Sequence, residues 1–505
     1  MSGGVTRIAS ATDSAIGELL LRPWLDEGLR SARRRGVSTL VSCVLPLPPR
    51  DPVDVFERAA AVAADRFLWL QPEMGCAMVG VGAAWSLVVV GERRFAEANA
   101  AWRERSVDAL VRGEPGVVGT GPLLLGGFAF DPFRPATPLW EGFPDGLLVL
   151  PRYLVTRSGD TAWLTVNVVL EPDGDPALVA RSVVGQCRSL LARGVGGEGA
   201  ADGSRVSWRE AIDPHGGPRR DHVFPAARGQ VRVEEVPSSS AWQSLVGSLA
   251  RDLQRGAAEK AVLARRCRAV AQSPIRPAAI LRQLAREYPG CFVFAVARGD
   301  RCFLGASPER LVRLRDGVVQ TTCLAGSAAR GATPEEDRQL GKALQASAKD
   351  RAEHAVVVRA LREALAEACV ELSVAEEPGL LKMRNVQHLH TPVVGRCRPG
   401  HTVLDLVQRL HPTPAVGGYP RDAALRLIRE REGLDRGWYS GPVGWVDAAG
   451  EGEFAVAIRS ALLRGCEAWL FAGCGVVADS DPRREYDESR LKLRPMLAAL
   501  GVEEP

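Results

Sequence analysis

What most narrows the fold of this chain is the order of its apolar segments beyond about residue 225. Strands and amphipathic helices follow one another there without the regular strand–helix repeat of a doubly wound nucleotide fold. A helix over Ser238–Arg255 leads into the strand Lys260-Ala-Val-Leu-Ala-Arg265, and a strand over Cys291–Ala297 precedes Phe303-Leu-Gly-Ala-Ser-Pro-Glu309. The spacing then predicts a long helix from Ser347 to Cys369, with Val358, Leu361, Leu365 and Cys369 along one stripe. Strands over Glu453–Leu462 and Trp469–Val477 follow, before a terminal helix with Asp481 as its cap and Pro482 in its first position. The pattern predicts α+β layers.

The first 190 residues also mix the two kinds of element. Pro52–Asp65, capped by Asp51, and Arg94–Val111 read as helices, and Ser86–Val90 and Leu147–Leu154 as strands. Arg193 to Arg220 is rich in glycine and polar residues and reads as a loop or linker. At 505 residues and 46% hydrophobic the chain can bury a large core, and a formal charge of +4 is too small to argue for nucleic acid. Asp13 and Glu18 break any apolar leader, and no stretch is long enough to span a bilayer. Eleven scattered cysteines, none in a Cys-x-x-Cys pair, fit reduced thiols and a cytoplasmic location.

Several residues have chemical potential. Asp350 and Glu353 are three apart on the long helix, as are Glu485 and Glu488 on the terminal one. Two such helices facing each other would make an oxygen site suited to Mg²⁺, although the same spacing serves a solvated helix face. Lys492, four residues after Glu488, is either its ion-pair partner or a fixed cation near a substrate. In Glu453–Leu462, alternation puts Phe454, Val456 and Ile458 on one face and Ala455, Ala457 and Arg459 on the other. Two small residues leading to an arginine leave room for a ligand with a carboxylate. Lys260 opens an apolar strand, where burial and nearby cations would lower its pKa and make it a base. A solvent-facing strand end is the plainer reading. Glu309, at the turn after Gly305-Ala-Ser-Pro308, is a general acid if its pocket is apolar and otherwise a turn carboxylate. Gly473-Cys-Gly475 lacks the third glycine of a dinucleotide motif, but its paired glycines allow close backbone approach and offer N–H groups to an anion.

In this order the segments resemble those of the chorismate-utilising enzymes. Between about residues 240 and 500 the resemblance runs through Lys260–Arg265, Gly305–Glu309, Leu324-Ala-Gly-Ser327 and Ser347-Ala-Lys-Asp-Arg-Ala-Glu-His354. It continues through Val386-Gln-His-Leu-His-Thr391, His411-Pro-Thr-Pro-Ala-Val-Gly-Gly418, Arg436–Trp445, Gly452–Arg459 and Ala472–Gly475. Phe67–Pro72 and Gly126–Phe130 are looser echoes. The resemblance implies a large α+β (α/β) chorismate-binding fold, with two packed, mainly antiparallel β-sheets surrounded by helices. It implies that residues 1–192 complete the fold, 193–222 form a linker, and 223–505 carry the catalytic region. By similarity Glu353 and Glu488 hold Mg²⁺, which takes the ring carboxylate of chorismate, with Asp350 and Glu485 in support. Tyr439 and Arg459 hold the enolpyruvyl carboxylate, Lys492 and the Gly473–Gly475 backbone fix the ring carboxylate, and His388 and Thr413 line the pocket.

Within the family, a lysine at the position of Lys260 marks the branches that add water, and aminodeoxychorismate synthases carry a lysine where Ala325 stands here. The resemblance therefore implies an isochorismate synthase, with Lys260 activating water for attack at C2 and protonated Glu309 serving the departing C4 hydroxyl. A salicylate synthase, which also eliminates pyruvate, is the alternative, and an ammonia-using anthranilate-type subunit is disfavoured by Lys260. A monomer without a glutaminase partner is expected. Cys474 and Ser489 depart from the alanine and threonine common in relatives.

Overall fold

The computed structural model describes residues 18–191 and 231–502, apart from positions 115, 135, 136 and 385. The leader region around Asp13 and the Gly-rich segment 193–222 lie outside the described residues. One long antiparallel strand pair organises the sheets. Cys76–Val89 pairs antiparallel with Gly146–Ser158 along almost its whole length, with an irregularity between Ala83 and Trp85. From the Cys76–Val89 side, pairing passes through Arg66–Gln71 to Phe292–Arg298, Arg301–Ser307, Ser460–Arg464, Glu467–Val476 and Lys260–Val270. From the other side it passes through Leu123–Phe128 to Pro442–Asp447, Gly452–Val456, Arg310–Arg315, Val318–Ala329 and Val386–Cys397. Every pairing is antiparallel except that of Thr39–Leu47 with Leu110–Gly113.

The two sheets therefore share this strand pair and face each other. Phe67, Trp69, Phe294, Phe303 and Phe471 of the first meet Leu125, Val149 and Trp445 of the second in one buried cluster. Trp140 and Phe143 join it through edge-on rings, Trp140 against Phe303 at 5.2 Å and Phe143 against Trp438 at 5.2 Å. Each ring so buried contributes roughly 1.5–3 kcal/mol from area alone. Helices Glu18–Arg35, Pro52–Arg58, Pro176–Leu191, Pro277–Glu287 and Pro482–Ala499 cover the outer face of the first sheet. Arg94–Ser106, Ala348–Ala366 and Val403–Leu410 cover that of the second. The expected fold of two mainly antiparallel sheets within helices is the fold observed. No helix among the described residues is long and apolar enough to cross a membrane.

Local expectations hold best where caps define them. Asp51 accepts from Asp54 N at 2.8 Å, and Asp481 accepts from Arg483 N and Arg484 N at 3.0 and 2.9 Å. Ser238 and Ser347 are N-caps, outside the helices they open. Pro52–Asp65 is helical only to Arg58, followed by a single 3-10 turn, because Arg66–Gln71 must start its strand. The helix expected to reach Val111 stops at Ser106, and Leu110–Gly113 joins the sheet. On the long helix the buried stripe is Val357, Leu361 and Leu365, with Val358 beside it and Cys369 already in a strand. The expected strand Glu453–Leu462 is two strands, Gly452–Val456 and Ser460–Arg464, in different sheets. Arg459 makes the crossing at φ +52°, a left-handed conformation unfavourable for a residue with a Cβ.

Candidate active site

The pocket opens where these elements converge, and it encloses about 700 Å³ free of protein atoms, mouth included. That lies within the roughly 300–1,000 Å³ of small-molecule sites. Lys260, Glu309, Glu353, His388, Tyr439, Arg459, Gly473, Gly475, Glu488 and Lys492 all line it. The strand starting at Lys260 lies against Glu467–Val476, and Gly475 faces Val262 in that pairing. A Cβ on Gly475 would stand 2.7 Å from both Lys260 Cε and Glu353 Oε1. The glycine thus leaves space for Lys260 Nζ to reach Glu353 Oε1 at 2.8 Å. Lys260 is buried, so its plainer reading as a solvent-facing strand end is ruled out.

Glu309 is buried at the end of a turn whose Ser307 hydroxyl accepts its N–H at 3.2 Å. Burial pushes its carboxyl up to about 7, although the Lys260 and Lys492 ammonium groups and the Thr413 hydroxyl work against the rise. A carboxyl poised near neutrality opposite an amine is the arrangement of an acid–base pair. Thr413 does not line the pocket itself but stands beside Glu309.

Two cations besides Lys260 set the field. Lys492 Nζ donates to Glu488 Oε1 at 2.5 Å and to the Gly473 carbonyl at 3.1 Å, so Gly473 offers the lysine an acceptor. Arg459 is only 6% exposed, and no carboxylate among the described residues stands within ion-pair distance of it. Its nearest polar contact is His388 Nε2 at 3.5 Å, while His388 Nδ1 meets Ser327 Oγ at 2.9 Å. Burial, then the Arg459 and Lys492 charges, hold His388 well below its ordinary value, which keeps it neutral. Tyr439 stacks on Phe471, with ring centres 5.2 Å apart. A buried guanidinium without a counter-charge is costly, and a substrate carboxylate would relieve that cost.

The acids suit a divalent cation. Glu353 and Glu488 line the pocket from facing helices, and Asp350 and Glu485 stand behind them. Glu485 is raised by burial and then by Glu488, and Asp350 by burial, with Glu353 and Glu488 adding to the rise. Burial opposes ionisation of Glu353, but the ammonium groups of Lys260, Lys492 and Lys349 outweigh it and lower its pKa. Among the described residues no three such side chains converge to hold an ion by themselves, so the two front carboxylates, each met here by a lysine, suit an ion that takes few protein oxygens and shares the rest with water and substrate. Ser347 bonds Asp350, and Lys349 and Ser480 bond Glu485, so these two act behind the front pair.

Ser327, Ser440, Ile458 and Phe471 also line the pocket and were not singled out from sequence. Phe471 was legible from alternation, being two and four residues before Gly473 and Gly475 on one strand. Ser327 follows Gly326, whose φ of +78° marks the register shift that puts Ser327 opposite His388.

A pocket between two sheets, with a buried amine, a buried guanidinium and a carboxyl whose acidity burial weakens, is an enzyme-like site with groups for an anionic small molecule. Residues 27–501 match the chorismate binding enzyme family model. A Pseudomonas aeruginosa protein named salicylate biosynthesis isochorismate synthase is 39% identical over 482 residues, covering 95% of this chain and 94% of that one. Bacillus subtilis isochorismate synthase MenF is 34% identical, covering 94% and 96% respectively. The structure of the menaquinone-specific isochorismate synthase MenF from Escherichia coli superposes with a TM-score of 0.71 at 26% identity, over 94% of this chain and 99% of that one. The chain belongs to the chorismate-binding enzyme family.

Proposed function

We propose that this enzyme is a Mg²⁺-dependent isochorismate synthase, adding water to chorismate at C2 with loss of the C4 hydroxyl. The observation that carries the reading is a buried Arg459, with no carboxylate at ion-pair distance among the described residues, in the same pocket as Lys260 and a Glu309 carboxyl pushed up to about 7 by burial. Relatives named isochorismate synthases, matched over nearly their whole length, support it. Arg459 and Tyr439 receive the enolpyruvyl carboxylate, and Lys492 fixes the ring carboxylate. Glu353 and Glu488 would hold Mg²⁺, with Asp350 and Glu485 behind them; the ion supplies charge neutralisation for the ring carboxylate. Lys260, released from its ion pair with Glu353 and in its neutral amine form, takes a proton from the attacking water. Glu309 gives its proton to the leaving C4 oxygen, so the water entering at C2 balances the one lost from C4. Neutral His388 holds Ser327 and lines the wall beside Arg459, and Thr413 steadies Glu309. Holding ring and water in one orientation supplies much of the remaining acceleration. Residues 1–192 complete the fold around the catalytic region 223–505. The eleven thiols suit a reducing cytoplasm, and a monomer without a glutaminase subunit suffices.

The test is purified protein with chorismate and Mg²⁺, with and without EDTA, followed by product chromatography. Metal-dependent isochorismate without pyruvate, abolished by Lys260→Ala, supports the proposal. Enzyme-dependent salicylate and pyruvate would move it to the lyase branch, and no turnover with water or ammonia would sink it.

A further inference from the structure

A second cavity lies behind the His411–Val416 segment, with about 1,070 Å³ free of protein atoms, mouth included. Its floor holds Arg94, Phe95, Phe130, His411 and the half-buried Arg421. Arg94 is 4% exposed and donates to the Gly91 and Ala129 carbonyls at 3.1 and 3.4 Å, while its Nε has no partner. Arg421 donates to the Arg409 carbonyl. Neither guanidinium has a carboxylate at ion-pair distance among the described residues. The one buried acid at the cavity, Asp131, is taken by Arg429 through two bonds of 2.6 and 2.8 Å. Glu92 and Asp422 lie exposed at the rim.

Two helices also begin here, Arg94–Ser106 and Arg421–Arg431, and neither Arg93 nor Pro420 supplies a side-chain cap. Their positive ends add to the guanidinium field. His411 adds no charge: burial and then Arg94 hold it well below its ordinary value, and its Nε2 lies 2.9 Å from the Phe130 carbonyl. Around this cationic floor stand Phe95 and Phe130, with Phe133 57% exposed at the mouth.

We propose that this cavity binds a small aromatic carboxylate, with the carboxylate between Arg94 and Arg421 and the ring toward Phe130 and Phe133. The anion would meet the buried Arg94, which the Asp145, Asp131 and Glu92 charges reach only from beyond ion-pair distance, and the half-buried Arg421, and the ring would cover Phe133. One chain segment adjoins both cavities. His411 and Pro412 line the one, Ala415 and Val416 the other, and Thr413 between them adjoins Glu309.

The experiment is photolabelling of the full chain with 4-azidobenzoate under saturating chorismate, with peptide mapping, alongside titration with benzoate. Label in peptides spanning 130–133 and 408–429, displaced by benzoate but not by benzyl alcohol, is expected. Arg421→Gln should weaken benzoate binding roughly tenfold or more, as should Arg94→Met if it folds. Label confined to the first pocket, or benzoate affinity unchanged in Arg421→Gln, overturns the proposal. Label at the second cavity without chorismate turnover would leave this site standing and reject the reading of the first pocket. Turnover without such label would do the reverse.

Discussion

Replacing Gly475 by alanine tests the acid–base site through a contact of known size. The new methyl carbon would stand 2.7 Å from Lys260 Cε and Glu353 Oε1, and 3.2 Å from Lys260 Nζ. Ordinary contact begins at 3.4 Å, so those side-chain ends must retreat by about 0.7 Å. Both are the far ends of flexible chains, and Gly475 does not lie in left-handed backbone, so the strand itself can stay in place. The stability loss should therefore fall at the lower end of the ~1–3 kcal/mol typical of overpacking. Catalysis has less tolerance, because a shift of about 1 Å in a reacting group can cost on the order of 100-fold. We expect kcat for chorismate to fall roughly 30- to 100-fold. KM should change little, since Arg459 and Lys492 are untouched. Steady-state kinetics by product chromatography and a urea melt give the two readouts. Wild-type kcat would refute the reasoning by showing that Lys260 has room to move. A collapse of stability matching the lost activity would refute it too, because the strain would then be global.

Other perturbations separate charge from packing. Glu309 is raised from 4.5 to about 7, so its proton contributes stability in full below 4.5, and this is lost as pH rises through about 7. Activity should fall along that same limb, and Glu309→Gln should remove both the activity and this part of the pH dependence of the melt. Arg459→Asn should weaken chorismate binding by roughly tenfold or more. The melt should stay or rise, since the change removes an unpaired buried charge and asparagine tolerates the left-handed backbone; a lower melt would contradict this account. Arg436 and Glu432 form a fully buried pair that also ties down the Val262 and Val416 carbonyls and the Ala264 N–H. Arg436→Met should cost about 3–5 kcal/mol in urea denaturation, and adding Glu432→Leu should recover part of it. No recovery would show that the carbonyl ties, and not the stranded Glu432, dominate.

Much of the site was legible because its residue types recur at informative places. Lys260 opens a strand, Glu353 and Glu488 lie on helices with caps, and Arg459 ends a run of small residues. Spacing on one element cannot reveal what meets across elements. The Lys260–Glu353 contact depends on the register of Lys260–Val270 against Glu467–Val476 and on the bare Cα of Gly475. The Glu453–Leu462 pattern alternates correctly through Ala457, so period alone gave no sign of a break. What overrides it is tertiary: Val456 N donates to the Glu309 carbonyl and the Val456 carbonyl accepts from Ser307 Oγ, while Ser460 pairs with Gly305 in the other sheet. Propensity likewise favours helix through the alanine run after Arg58, but the pairing of Arg66–Gln71 with two neighbours outweighs it.

The crossing at Arg459 has a mechanical consequence. This residue joins a strand of one sheet to a strand of the other, and its carbonyl accepts from Ala306 N at 3.1 Å at the base of the turn that carries Glu309. The anion clamp is thus part of the hinge line between the two halves of the sandwich, and its aim reports how they sit on each other. A change in the distant aromatic layer, such as Phe303→Leu, would reach ligand affinity by tilting one half against the other without touching the pocket. Ligand capture in turn would act as a brace across the seam, so slow amide exchange in both sheets together would be the sign of an occupied enzyme.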